Sequence, residues 1–189
     1  MTRFHLGTGF LAALLVFAAG TAAGWAYSQV FAPLLVPSLE NLLAAAEKTM
    51  DLNPQAEHLA LSAFIFLKNL SVAALLVVFG HAVFALPAVF ILAVNGVLVG
   101  FLARHLVEAG LPPAAFVAGI APHGVIELPA IFLAAGLALA IAALRLKKRA
   151  TPGVVERLGF LLRVVTPLLV AAAVVEVYIT PQVISRFAP

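Results

Sequence analysis

Polar residues are so sparse along this chain that the apolar stretches between them delimit its elements. No charged residue falls between His5 and Glu40, and from Leu70 to Ala103 His81 is the one ionisable side chain in an apolar run. Either stretch exceeds the roughly 20 apolar residues that cross a bilayer as helix. The pattern fits five crossings, at about 7–32, 55–81, 87–105, 124–144 and 155–180. The first ends at Pro33 and Pro37, and the last is expected to kink at Pro167 and stop at Pro181. The N-terminus imitates a secretory signal, with Arg3 before an apolar run and small residues at Ala22 and Ala23. The run continues to Val36, however, and reads as a retained first span.

Two segments depart from simple crossings. From 38 to 51, Leu39, Leu42, Leu43, Ala46 and Met50 recur at helical spacing while Glu40, Glu47 and Asp51 lie elsewhere, with Ser38 placed to cap. This predicts an amphipathic helix lying outside the bilayer core, on the interface or on a partner. Asn53-Pro54 then reads as cap and first residue of the second span. Residues 112–121 make only ~15 Å of helix, too short to cross. They are expected to form a re-entrant or interfacial helix that returns at Pro122-His123-Gly124.

Composition sharpens the picture. The 189 residues are 64% hydrophobic and 10% charged, against roughly 25% charged in soluble domains. The fold class is therefore all-α, one polytopic helical membrane domain over 1–189. With no cysteine there are no disulfides, thiolate metal sites or cysteine nucleophiles. The net charge of +3 is not a nucleic-acid signal, because the basic residues concentrate at Arg145, Lys147, Lys148 and Arg149, followed by Arg157 and Arg163. That loop, 145–157, is a cytoplasmic signature. Counting back through five spans puts the N-terminus inside as well, with segment 40–57 and the C-terminus outside the cell membrane.

Against this background the octet Pro122-His123-Gly124-Val125-Ile126-Glu127-Leu128-Pro129 stands out. Ionisable residues inside a membrane mark a functional site by default, and Pro with Gly reads as a broken helix. His123 and Glu127 share a face if helix already runs through 123; Glu127 then occupies the first turn, where the helix dipole favours a carboxylate. Glu176, Asn69 and Asn95 join them as a buried polar cluster gathered in the outer half, with Lys68 as a charge partner. A purely structural pairing, a proton or ion pathway, and a divalent site of one imidazole and two carboxylates are the alternatives. No dense ligand motif supports the metal, Lys68 opposes a cation, and no metal ligand or cofactor is assigned. Gly20 with Gly24, and Gly96 with Gly100, form GxxxG faces for close helix packing, which also allow a homodimer. Gly7 and Gly9 precede no phosphate-loop lysine, so nucleotide binding has no support.

The octet, with Ala130-Ile131-Phe132 after it, resembles the signature of the stage II sporulation protein M family. Ile65-Phe66-Leu67-Lys68-Asn69-Leu70-Ser71-Val72-Ala73 followed by Gly80, then Asn95-Gly96 with Gly100, then Glu176-Val177-Tyr178-Ile179-Thr180-Pro181 resemble further family motifs in the right order. The resemblance covers about residues 8–182. Lys68 departs from it, standing where an uncharged polar residue is usual. The resemblance implies a five-span protein. The family's namesake anchors two peptidoglycan-degrading partners at the membrane engulfing the forespore, although the family also occurs in organisms without spores or peptidoglycan.

The expected function is a non-enzymatic membrane scaffold that recruits protein partners through 38–51 or 145–157. The alternative is a channel or carrier for an ion, proton or small solute using the buried His/Glu cluster. Intramembrane hydrolysis would need a nucleophile beside His123, Glu127 or Glu176, and none stands out.

Overall fold

A computed structural model describes residues 3–47 and 54–187, and among these every regular element is helical. In chain order they are α1 (Arg3–Ala26), α2 (Ser28–Glu47), α3 (Pro54–Phe79), a 3-10 turn (Val83–Ala85), α4 (Leu86–Glu108), α5 (Pro113–Leu146), α6 (Val154–Phe160), a π turn (Leu161–Val165), α7 (Thr166–Tyr178) and α8 (Thr180–Ile184). Among the described residues, five helices are long and apolar enough to cross a membrane: Leu6–Ala26, Glu57–Phe79, Val83–Glu108, Pro113–Leu146 and Val154–Tyr178. The protein is a polytopic helical membrane protein.

The octet does not break its helix. Residues 112–121 form no separate re-entrant or interfacial segment; α5 runs unbroken for 34 residues with Pro122 and Pro129 inside it. A proline removes one helical hydrogen bond, whereas a break leaves up to four N–H and four C=O groups unpaired. In lipid each unpaired group costs several kcal/mol, so continuing the helix is the cheaper outcome. Glu127 is consequently not in a first turn: it lies about 20 Å along α5 from Pro113, beyond the reach of the N-terminal dipole.

The first span also differs from expectation. It ends at Ala26, a turn at Tyr27 follows, and α2 begins at Ser28 and continues through Pro33, Pro37 and Ser38. Ser38 therefore lies inside a helix and not at its start. The backbone of the expected 38–51 helix is helical to Glu47 as the continuation of α2, and 48–51 lie outside the described residues. In the fifth span the expected deviation at Pro167 takes the form of the π turn just before it. Such a turn widens the helix where proline removes its bond to the carbonyl of Arg163.

Two helix ends show how the chain reverses. After α4, the Gly110 N–H donates to Val107 O at 3.0 Å and the Leu111 N–H to Leu106 O at 2.9 Å, with Gly110 at φ 98°. After α5, the Lys148 N–H donates to Arg145 O and the Arg149 N–H to Leu144 O, both at 2.9 Å, with Lys148 at φ 52°. Both are Schellman closures, which satisfy carbonyls the helix end would orphan.

α5 is the hub. Its alanine-rich stretch, including Ala130, Ala134, Ala135, Ala138 and Ile141, is buried, because small side chains let neighbours approach closely. On one side α1 wedges between α4 and α5. A methyl added at Gly20 or Gly24 would strike the α4 backbone at Ala93 or Val97; one at Gly96 or Gly100 would strike α1 at Phe17 or Thr21. The two GxxxG faces pack against each other within the chain. Phe132 of α5 meets Phe10 and Phe17 of α1 edge-on, with ring centroids 5.8 and 5.2 Å apart. On the other side α3, α5 and α7 pack together, and there the polar chemistry collects.

Candidate functional site

α5 presents His123 and Glu127 on one face, since helix does run through 123. α7 brings Glu176 to the same point. One ligating atom from each of the three lies within 4.8 Å of the other two, and all three side chains are half-buried. From α3, the buried Asn69 sets its side chain against the Glu127 carboxylate. Lys68, next to it, is exposed yet close enough to act electrostatically on His123, Glu127 and Glu176.

A further member went unrecognised as a site residue in the sequence. Thr180, the first residue of α8, is buried and has Oγ1 3.4 Å from His123 Nδ1. Its hydroxyl donates to Val175 O at 3.2 Å, so towards His123 it can only accept. His123 then carries its proton on Nδ1, leaving the Nε2 lone pair as the basic nitrogen. The threonine was visible only inside the closing motif, with nothing to mark it as the partner of a histidine on another helix.

The assembled group holds acceptors against acceptors. Two carboxylates and an imidazole nitrogen face one another, with Asn69 as a neutral donor to Glu127 while the His123 Nδ1–H is turned to Thr180. Carboxylates this close in low-dielectric surroundings require a balancing positive charge. Lys68 is one source; a proton or a cation held by the three ligands is another.

Other residues singled out in the sequence lie elsewhere. Asn95 is not part of the buried cluster: it is exposed on α4, and its side-chain amide donates to Ile91 O at 2.7 Å within its own helix. Gly124 is buried in α5, where an added methyl would approach only Ile120, at 3.3 Å, so it is not a close-packing glycine. Arg104 pairs with Glu108 and lies 5.5 Å from the centre of the Trp25 ring, while His105 stacks on Phe101. Both are satisfied locally.

A second polar cluster lies where the C-terminal end of α3 meets α6. Arg157 of α6 is buried, and its Nη1 donates to Val77 O at 3.3 Å, Val78 O at 3.1 Å and His81 Nδ1 at 3.1 Å. Its Nε reaches Gly153 O at 3.4 Å. Val77 and Val78 lie in the last turn of α3, whose carbonyls have no helical partner; the guanidinium caps that negative helix end. Accepting from Arg157 makes His81 a neutral Nε2–H tautomer. Burial, and then the charges of Arg145 and Arg157, hold its pKa below the ordinary 6.5. In the sequence Arg157 carried only a topological signal, and His81 was merely the interruption of an apolar run.

Residues 13–181 match the family model described as SpoIIM, stage II sporulation protein M. No curated protein and no solved structure matches the chain.

Proposed function

Since the chain belongs to the stage II sporulation protein M family, we propose that it is a non-enzymatic integral membrane scaffold that anchors or recruits partner proteins. The observation that carries this reading is α2. It leaves α1 at Tyr27 and touches only α1 and α4 among the described elements. Tyr27, Val30 and Leu34 are exposed, at 62%, 71% and 70%. An apolar helix so little covered by its own bundle, running into an amphipathic continuation, suits a surface for a partner. Leu42→Asp with Leu43→Asp abolishes partner co-purification while leaving the bundle's thermal unfolding unchanged. Undiminished partner capture by a folded double variant would sink the scaffold at this surface.

In this reading the basic loop and the N-terminus face the cytoplasm and the C-terminus lies outside, following the positive-inside bias. The absence of cysteine makes the check clean. A single cysteine at Lys147 is labelled by a membrane-impermeant thiol reagent only in opened cells, and one at Gln182 in intact cells.

A second reading, a channel or carrier for a cation or proton, is favoured by the convergence of His123, Glu127 and Glu176 within 4.8 Å. It loses the support of a discontinuous helix, the usual transporter device, because α5 is continuous. Reconstituted protein would then carry a proton or cation flux that Glu127→Gln abolishes; absence of flux in the unsubstituted chain removes this reading.

A further inference from the structure

Between the turn after α3 and the end of α5 lies a cavity of about 270 Å³, lined by His81, Val83, Phe84, Ala142, Arg145 and Leu146. Its polar wall is cationic. Arg145 lines it directly, and the buried guanidinium of Arg157 is bonded to His81 Nδ1. The acidic residue nearest in sequence to Arg157, Glu156, is engaged elsewhere, accepting the Gly153 N–H at 2.9 Å. The negative helix ends beside the cavity are neutralised: Arg157 takes the last carbonyls of α3, and the Lys148 and Arg149 N–H groups take those of α5. α4 starts at Leu86, two residues past the lining Phe84, so the positive end of that helix lies near the cavity.

The other wall is apolar and turned outward. Val83, Phe84 and Leu146 are 67%, 74% and 64% exposed. Val83, Phe84 and Ala85 reach this arrangement with φ of 43°, 58° and 65°, a left-handed run that costs on the order of 1 kcal/mol or more per residue. A loop joining two spans sits at headgroup depth, where a lipid presents phosphate and glycerol above its chains.

We propose that this cavity binds the phosphate headgroup of an anionic phospholipid, with Arg145 as its direct ligand and the exposed Val83, Phe84 and Leu146 against the acyl chains. The His81–Arg157 pair forms the floor: with its Nδ1 accepting from Arg157, the His81 Nε2–H is the proton available for an anionic oxygen. Basic pockets between spans recognise anionic headgroups in this way.

The test uses delipidated full-length protein in neutral detergent, titrated with phosphatidylglycerol, chain-matched phosphatidylcholine or inorganic phosphate and read by native mass spectrometry. Phosphatidylglycerol is retained more tightly than phosphatidylcholine. Arg145→Gln weakens its binding about fivefold, the value of one basic residue near a charged surface, and Arg149→Gln, outside the cavity, weakens it much less. Ala142→Leu, which occupies the cavity without altering charge, also expels the lipid; should it fail to fold, the exposed Arg145 substitution still decides. Equal losses in the two arginine variants, or equal retention of both lipids, would overturn the proposal in favour of unspecific surface attraction. Phosphate binding alone, with the same dependence on Arg145, would overturn the lipid in favour of a soluble anion.

Discussion

Between α3, α5 and the fifth span two carboxylates meet an imidazole; at the C-terminal end of α3 a guanidinium meets an imidazole and a row of backbone carbonyls. Both clusters lie where α3 meets the fifth span, yet their hydrogen-bond accounts differ. Arg157 sets its donors on acceptors that the end of α3 leaves free and on a histidine nitrogen. Donors meet acceptors, and little is left over. His123, Glu127 and Glu176 set acceptors on acceptors and depend on Lys68, a proton or a cation for balance. The Arg157 joint is satisfied within the protein, so a ligand can only add to it from the cavity side; the acidic group is incomplete by itself and needs a further positive charge.

Removing Arg157 gives the largest separation between the two. Arg157→Leu leaves the carbonyls of Val77 and Val78 and the His81 nitrogen unpaired in a buried place, costing about 3 kcal/mol. Thermal unfolding in detergent measures it, and a loss below about 1 kcal/mol would mean that the joint carries no load.

Next comes pH. The His81 pKa is held below 6.5 in the folded chain, so between the folded and unfolded values the unfolded chain binds more protons and stability rises with pH. The contribution is complete above the unfolded value and is lost as pH falls below it through the folded one. The midpoint of unfolding therefore drops on acidification below about 6.5, and His81→Gln flattens that slope. An unchanged slope in the variant places the dependence elsewhere.

Thr180→Val tests the acidic end more gently. It removes the acceptor for the His123 Nδ1–H and frees the ring, for about 1 kcal/mol; histidine NMR should show the tautomer no longer locked. Smallest is Glu127→Gln, which exchanges one of two facing carboxylates for a neutral amide. Stability rises by less than about 1 kcal/mol, because repulsion is relieved as a hydrogen bond to Asn69 is retained. A loss as large as that of Arg157→Leu would erase the distinction between the clusters.

What the sequence determined by itself were the properties that accumulate locally. Hydrophobic length defines a crossing residue by residue, so the second, third and fifth spans appear near their expected limits. Glycine spacing identified the faces by which α1 and α4 approach, and the family motifs lie within the matched stretch 13–181. Proline misled the reading at two places, the end of the first span and residues 112–121. Its local penalty is legible, but the larger penalty of leaving helix in lipid is not a property of any one residue. The meeting of Glu176 with His123 and Glu127, the Thr180 hydroxyl behind His123, and Arg157 over the end of α3 were decided by tertiary structure alone. Each joins side chains on different helices, and hydrophobic periodicity says which residues share a face of one helix without saying which face of another it meets.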